Sequence, residues 1–435
     1  MLLASADLIK KSNQYIYSKS CRLKQRYYAL DVFRGATVCL MILVNNPGSS
    51  HVYSPLDHAP WHGITPTDLV FPFFLFAVGN AMAFVMPRLE AGGDAVFWKK
   101  VIKRTFLIWG IGIFLTWYPF SQYAGDHLVA KGWTWTVASG PLAGQILGIR
   151  ILGVLARIAL CYFFASIIIY YLKARGAFLV GVIFLLLYWM LTYTLGHAPD
   201  PYAMTTYFGN DVDRAILTPP HMYHGEEVNG IPYDFDPEGI MSTMTAIVNV
   251  IFGFLVGDFI RKRGQHAVEM EQPAVKGFEL YQMLTILFVT AVAFLFIGYA
   301  WGLVFPINKK IWTSSYVCYT TGLAIIILST MIYGIEIKKL KGWFTEFFNV
   351  FGKNALFIFA FSSFLPKTLW LIRWPTGVNA NGATTYSDPW HWFAKLCSKL
   401  PGRPENGSLL FSICIILLFW SICYWMDKKK IYIKV

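Results

Sequence analysis

Long apolar stretches alternate along this chain with short polar ones, and the spacing is that of membrane helices. A bilayer core needs about 20 mostly apolar residues per helix. Ten stretches meet or approach that length, at residues 30–46, 67–86, 102–119, 147–172, 177–195, 239–260, 280–303, 316–335, 352–372 and 408–426. They predict an all-α integral membrane protein with about ten transmembrane helices. Because ten is even, both termini fall on one side.

The basic residues choose that side, since cytoplasmic loops hold an excess of Lys and Arg. With the amino terminus inside, 24 of the 37 Lys and Arg lie in cytoplasmic segments and 10 lie outside or at the outer edge. The 196–239 loop agrees: Asp200, Asp211, Asp213, Glu226, Glu227, Asp234, Asp236 and Glu238 oppose a single Arg214 there, on the outer side. The expected organisation is a basic cytoplasmic segment 1–28, one ten-helix domain 29–426 and a basic cytoplasmic tail 427–435. Residues 1–28 contain no apolar run long enough for a signal peptide.

Composition narrows the class further. Hydrophobic residues make up 56% of the chain and charged residues 14%, against roughly 25% charged in soluble domains; disorder is excluded by the same richness in apolar side chains. The net charge of +13 comes from short runs between apolar stretches, so it reads as topology and not as a nucleic-acid-binding stripe. Cys39, Cys161, Cys318, Cys414 and Cys423 lie inside apolar stretches as small hydrophobes, and no structural disulfide is expected.

Ionisable or polar groups at membrane depth are costly, and each is a candidate site. Asp31 and Arg34, three apart at the start of the first stretch, can pair on one helix face, or Arg34 can face a phosphate; Gly35 beside them lets a helix or ligand approach. Asn45 ends that stretch before Pro47, either capping the helix or donating into a cavity. The densest cluster is Asp57–Pro72, with His58, Trp61, His62, Thr65, Thr67 and Asp68 directly before a run of Phe. Pro66 and Asp68 suit the entry to a helix. A neutral His here, with an ordinary pKa of about 6.5, can take a proton from an amine or alcohol. His58 and His62 are spaced i, i+4, but Pro60 between them breaks the helix a metal site would need, so no metal is expected. Arg150 and Arg157, seven apart, are expected on one face of the fourth helix, with Arg157 meeting a buried carboxylate or a ligand phosphate. Asp236 and Glu238 precede the sixth stretch as helix-capping acids or sugar contacts. Lys353 opens the ninth near the inner face.

Taken in order, these residues resemble the heparan-α-glucosaminide N-acetyltransferase family. The matching elements are Leu30-Asp-Val-Phe-Arg-Gly35, Val44-Asn45, His58-Ala-Pro-Trp61-His-Gly63, Thr67-Asp68-Leu-Val-Phe-Pro72, Arg150 to Arg157, Asp236-Pro-Glu-Gly239, Pro306 to Tyr316 and the basic tail. Leu152 and Ala156 stand where the family carries Pro and Gln. The resemblance implies transfer of the acetyl group of cytoplasmic acetyl-CoA, as co-substrate, to the amine of a glucosamine-type, heparan-like sugar across the membrane. It implies catalytic roles for His58 and Asn45, either by direct transfer or through an acetyl-His, and a homodimer. Candidate cofactor-binding cations are Arg34, Arg150, Arg157 and Lys353, and candidate sugar contacts are Trp61, Asp68, Asp236 and Glu238. A bacterial inner-membrane location, with lipid and no nucleic acid as partner, completes the expectation. Interrupted helices with charges at midplane also suit a secondary transporter of a sugar or other small polar solute, and a non-catalytic sugar-binding relative is a third reading. Only the enzyme releases free CoA.

Overall fold

In the computed structural model the structure describes residues 27–125, 127–138, 142–269, 273–378 and 384–433. The expected basic segment 1–28 therefore lies outside the described residues except for Tyr27 and Tyr28, as do the last two residues of the tail. The chain is helical: α1 Tyr28–Asn45, α2 Val70–Ala91, α3 Gly93–Trp117, α4 Val154–Leu195, α5 Gly209–Ile216, α6 Ile240–Glu269, α7 Pro273–Gly302, α8 Ser314–Met331, α9 Trp343–Lys353, α10 Ala355–Trp370, α11 Pro389–Cys397 and α12 Pro404–Lys428. Among the described residues, seven helices are long and apolar enough to cross a membrane, or eight if the bent pair α9–α10 is one span.

The difference from ten has two sources. At about 1.5 Å per residue, the 42 residues of α4 extend roughly 63 Å, twice a bilayer core. Lys173, at φ 55°, breaks it into two helices that correspond to two of the expected stretches. The third helix carries Lys99, Lys100, Lys103 and Arg104 within its length, so it falls below the apolar threshold.

Helices meet where glycine lets backbones touch, the usual device when lipid removes any hydrophobic drive between apolar helices. A Cβ at Gly79 of α2 would lie 2.0 Å from the Val250 carbonyl oxygen, and one at Gly253 would lie 2.2 Å from that of Phe76. The α2–α6 crossing is thereby fixed at the centre, with α4 completing a core that includes Leu75, Ile158 and Ile251. Gly35 and Gly352 do the same for α1 and α9, since a Cβ at Gly352 would lie 2.1 Å from the Asp31 carbonyl oxygen. Beyond that contact the chain turns by 77° into α10.

One end of the bundle has tight links. The other carries the long connections, and among the described residues four two-stranded antiparallel hairpins sit there: β1 Ser121–Ala124 with β2 His127–Ala130, β3 Thr134–Thr136 with β4 Ile146–Gly148, β5 Glu226–Val228 with β6 Ile231–Tyr233, and β7 Trp374–Val378 with β8 Thr384–Ser387. One hairpin corrects the sequence reading. Residues 146–148 pair as a strand and α4 starts only at Val154, so Arg150 and Arg157 do not share a helical face.

Candidate active site

The site forms at the loop-rich end, where α1 stops and α2 begins. The last turn of α1 is capped by Asn46, whose Nδ2 donates to Ile42 O at 2.8 Å and whose carbonyl accepts from Ser412 Oγ at 2.7 Å. Asn45 is therefore not the capping amide. It is exposed into a cavity and has no hydrogen-bond partner among the described residues.

The loop after α1 returns through a 3-10 turn, Pro66–Leu69, closed by a capping box between Thr65 and Asp68. That turn fixes the carboxylate. Asp68 accepts from the backbone N–H of Thr65 at 3.0 Å and of Ala59 at 3.2 Å, and its Oδ1 lies 2.7 Å from His58 Nδ1. Its own carbonyl accepts from Tyr316 Oη on α8 at 2.5 Å. The Asp68 side chain is 1% exposed and that of His58 46%, so a buried carboxylate orients a ring that reaches the cavity. A carboxylate on Nδ1 holds the proton there and leaves Nε2 with its lone pair. Asp68, expected as a sugar contact, spends its accepting capacity on this turn.

Lys309 closes the cluster. The loop between α7 and α8 docks on the Asp57–Pro72 loop through Gly63 N to Ile307 O at 2.8 Å. It brings Lys309 Nζ to 3.0 and 3.3 Å from the two ring nitrogens of His58 and to 3.6 Å from Asp68 Oδ1. Burial pushes the Lys309 ammonium below its ordinary value, against the pull of Asp68 and Glu238. Burial likewise holds the neighbouring His62 below its ordinary value.

Opposite lies a second charge cluster. Arg150 Nη2 meets Asp236 Oδ1 at 2.5 Å and also Glu238, its Nε donates to Asp236 Oδ2 at 3.1 Å, and its guanidinium lies 4.7 Å over the Tyr223 ring. Burial disfavours that charge, yet the two carboxylates raise the Arg150 pKa above its ordinary value. Burial acts on both acids: Asp236 moves up, while the Arg150 and Arg157 guanidiniums bring Glu238 down. Asp213, which accepts from Ile240 N at 2.8 Å at the start of α6, is pushed up to about 7 by burial.

A cavity of about 280 Å³ joins these groups. Asn45, His58, Trp61, Asp68, Glu238 and Lys309 line its polar side, and Met41, Val44, Phe71, Phe74 and Phe359 its apolar side. Trp61 is fixed by Nε1 donating to Tyr202 O at 2.9 Å. The remaining sequence candidates lie elsewhere. Asp236 sits behind Arg150. Arg157 is fully buried and, in place of the expected carboxylate or phosphate, Nη2 donates to Gly239 O at 3.0 Å and to Ser242 Oγ at the start of α6, with Trp312 under the guanidinium. Arg34 pairs with Asp31 at 3.4 Å, eleven residues or about 16 Å of helix before Asn45. Lys353 pairs with Asp427 at 2.8 Å on the far end. Sequence reasoning missed Lys309 as part of the site, because a basic residue between two spans reads first as a topology signal; the available hint was its place inside the Pro306–Tyr316 match.

No family model matches the chain. Compared with known proteins, it is 25% identical over 382 residues, 78% of its length, to heparan-alpha-glucosaminide N-acetyltransferase of Homo sapiens. It is 22% identical over 451 aligned positions, 94% of its length, to heparan-alpha-glucosaminide N-acetyltransferase of Mus musculus. The chain spans 52% and 60% of those relatives, respectively.

Proposed function

We propose, from the premise that this chain belongs to the heparan-alpha-glucosaminide N-acetyltransferase family, that it moves the acetyl group of acetyl-CoA to the amine of a glucosamine-type sugar. The observation that carries this reading is a His58 ring oriented by a buried carboxylate, facing one cavity with an unpartnered Asn45 amide. In the reaction, His58 Nε2 takes a proton as the sugar amine attacks the thioester carbonyl. Asp68 stabilises the imidazolium, and Asn45 Nδ2 donates to the tetrahedral oxyanion. The C–N bond forms, the C–S bond breaks, and the leaving CoA sulfur receives the proton from His58. Lys309 adds a positive charge beside the developing negative one.

The residues fit such a donor. The apolar side of the cavity includes Met41, one turn of α1 below Val44, and Arg34 and Lys353 lie toward the opposite end of the bundle as candidates for the phosphates. Arg150, held by Asp236 and Glu238, and Arg157, fully buried against Gly239 and Ser242, are better read as holding the wall. Trp61 offers a ring face, and Glu238 a carboxylate, to the sugar. The same reading includes ten spans with both termini cytoplasmic, a homodimer, and residence in a bacterial inner membrane.

The test is direct. Purified protein is incubated with labelled acetyl-CoA and a panel of amino sugars, wild type beside His58→Ala and Asn45→Ala. Both variants are expected to stay folded and lose transfer. Full turnover by His58→Ala would remove that residue from the mechanism. Sugar uptake into vesicles with acetyl-CoA left intact would replace the enzyme by a carrier.

A further inference from the structure

A second and larger space adjoins the candidate active site. It has a volume of about 440 Å³ and shares Asn45, Arg150, Val154, Tyr223 and Phe359 with the first cavity, so the two adjoin along a wall that includes Asn45. Its far wall comes from α3 and α10: Thr116, Ser362, Ser363 and Lys367. Lys367 donates one N–H to Leu115 O near the end of α3. An ammonium has three donors, so that bond leaves two. Ser363 has no hydrogen-bond partner among the described residues, and the Ser362 hydroxyl is turned to Phe359 O. A second cation stands close by. Lys131, on the connection after β2, is tied to the same end of α3, where Trp117 Nε1 donates to its carbonyl at 2.8 Å, and its Nζ lies 4.8 Å over the Trp135 ring.

Neither lysine meets a carboxylate among the described residues. That sets them apart from Lys310, paired with Glu226, and from Lys353, paired with Asp427. Holding two like charges together in a partly desolvated place is unfavourable, and an anion between them offsets it. A role for Lys367 in capping the end of α3 accounts for one bond but not for Lys131 or the open hydroxyl. We propose that this second cavity is a subsite for an oxyanion carried by one of the substrates, read by Lys367 with Lys131 beside it. The acetyltransferase reading supplies the candidates: a sulfate or carboxylate on the sugar acceptor, or a phosphate of the donor. Both cations lie at the loop-rich end with His58, which favours the acceptor.

The experiment measures kcat/KM for acetyl transfer to glucosamine and to glucosamine 6-sulfate, and separately with acetyl-CoA and with acetyl-pantetheine, which lacks the nucleotide phosphates. It compares wild type, Lys367→Met, Lys131→Gln and Lys367→Arg. The wild type is expected to prefer the sulfated acceptor by about tenfold, the size of one charge-assisted hydrogen bond. Lys367→Met and Lys131→Gln should each bring that ratio toward one, and Lys367→Arg should keep it. A fall in the acetyl-CoA to acetyl-pantetheine ratio instead assigns the oxyanion to the donor. Identical ratios in all four proteins, for both pairs, overturn the subsite. Thermal stabilisation by glucosamine 6-sulfate over glucosamine needs no turnover. If the wild type transfers no acetyl group, the enzyme reading fails, and a shift present in wild type but lost in both charge-removing variants still upholds the subsite. No shift in the wild type then sinks it.

Discussion

His58–Asp68 and His391–Asp388 are nearly the same contact, with Nδ1 to carboxylate distances of 2.7 and 2.6 Å. In each, the carboxylate is buried and also accepts from backbone at a helical turn: Asp68 through Thr65 and Ala59, Asp388 as the N-cap of α11 through His391 N at 2.9 Å. Their surroundings differ. The His391 side chain is 71% exposed, whereas His58 is 46% exposed and faces a cavity with an apolar wall, an unpaired amide and a lysine at 3.0 Å. Orientation of an imidazole by a carboxylate is thus common on this molecule, recurring at His197 and His224. What makes one pair a candidate for chemistry is the company it keeps.

The largest effect expected from that contrast is on turnover. His58→Ala should lower acetyl transfer by about a thousandfold, the middle of the range for a lost general base, while His391→Ala changes it by less than about twofold; CoA release with a thiol reagent reads both. Equal losses would erase the distinction. Next, Asp68→Asn is expected to lower kcat by about a hundredfold, because an amide can hold the ring in the wrong tautomer. Full turnover in that variant would reduce Asp68 to a cap.

Lys309 sharpens the comparison through pH. Burial lowers its pKa from the ordinary 10.5, so its charge is lost earlier as pH rises. If that charge helps the oxyanion form, transfer should fall on the alkaline side at a pH below the ordinary lysine range, by about tenfold, the worth of one charge-assisted contact, and Lys309→Arg should remove the limb. A profile identical in the two proteins removes Lys309 from the chemistry. The smallest effect is on the other pair: Asp388→Ala is expected to cost about 1 kcal/mol as a lost N-cap, seen as faster local hydrogen exchange in α11 with turnover unchanged. Unchanged exchange there would mean that the cap contributes nothing.

The membrane helices were legible because apolar length is a one-dimensional signal. Each of the ten stretches falls mainly on a helix, and the failures came where length misleads. Residues 147–153 are as apolar as a helix start, yet the segment opens on the end of a strand at Gly148 and Arg150 is drawn off to Asp236 and Glu238, 86 and 88 residues away in sequence. The Asp57–Pro72 block announced itself by its density of His, Asp and Thr. That Asp68 would serve His58 did not follow from their spacing, since the nine residues between them contain Pro60, Pro66 and a left-handed Gly63 at φ 112°. Lys309 reaches His58 only after two loops from opposite halves of the chain dock, a fact with no local trace.

Asn45 stands at a doorway between two chambers. A guest on one side that takes the amide's donors withholds them from a guest on the other. Linkage makes that influence reciprocal. A titration of either guest, repeated with its companion at saturation, would reveal whether the asparagine admits them as a pair or makes one wait for the other.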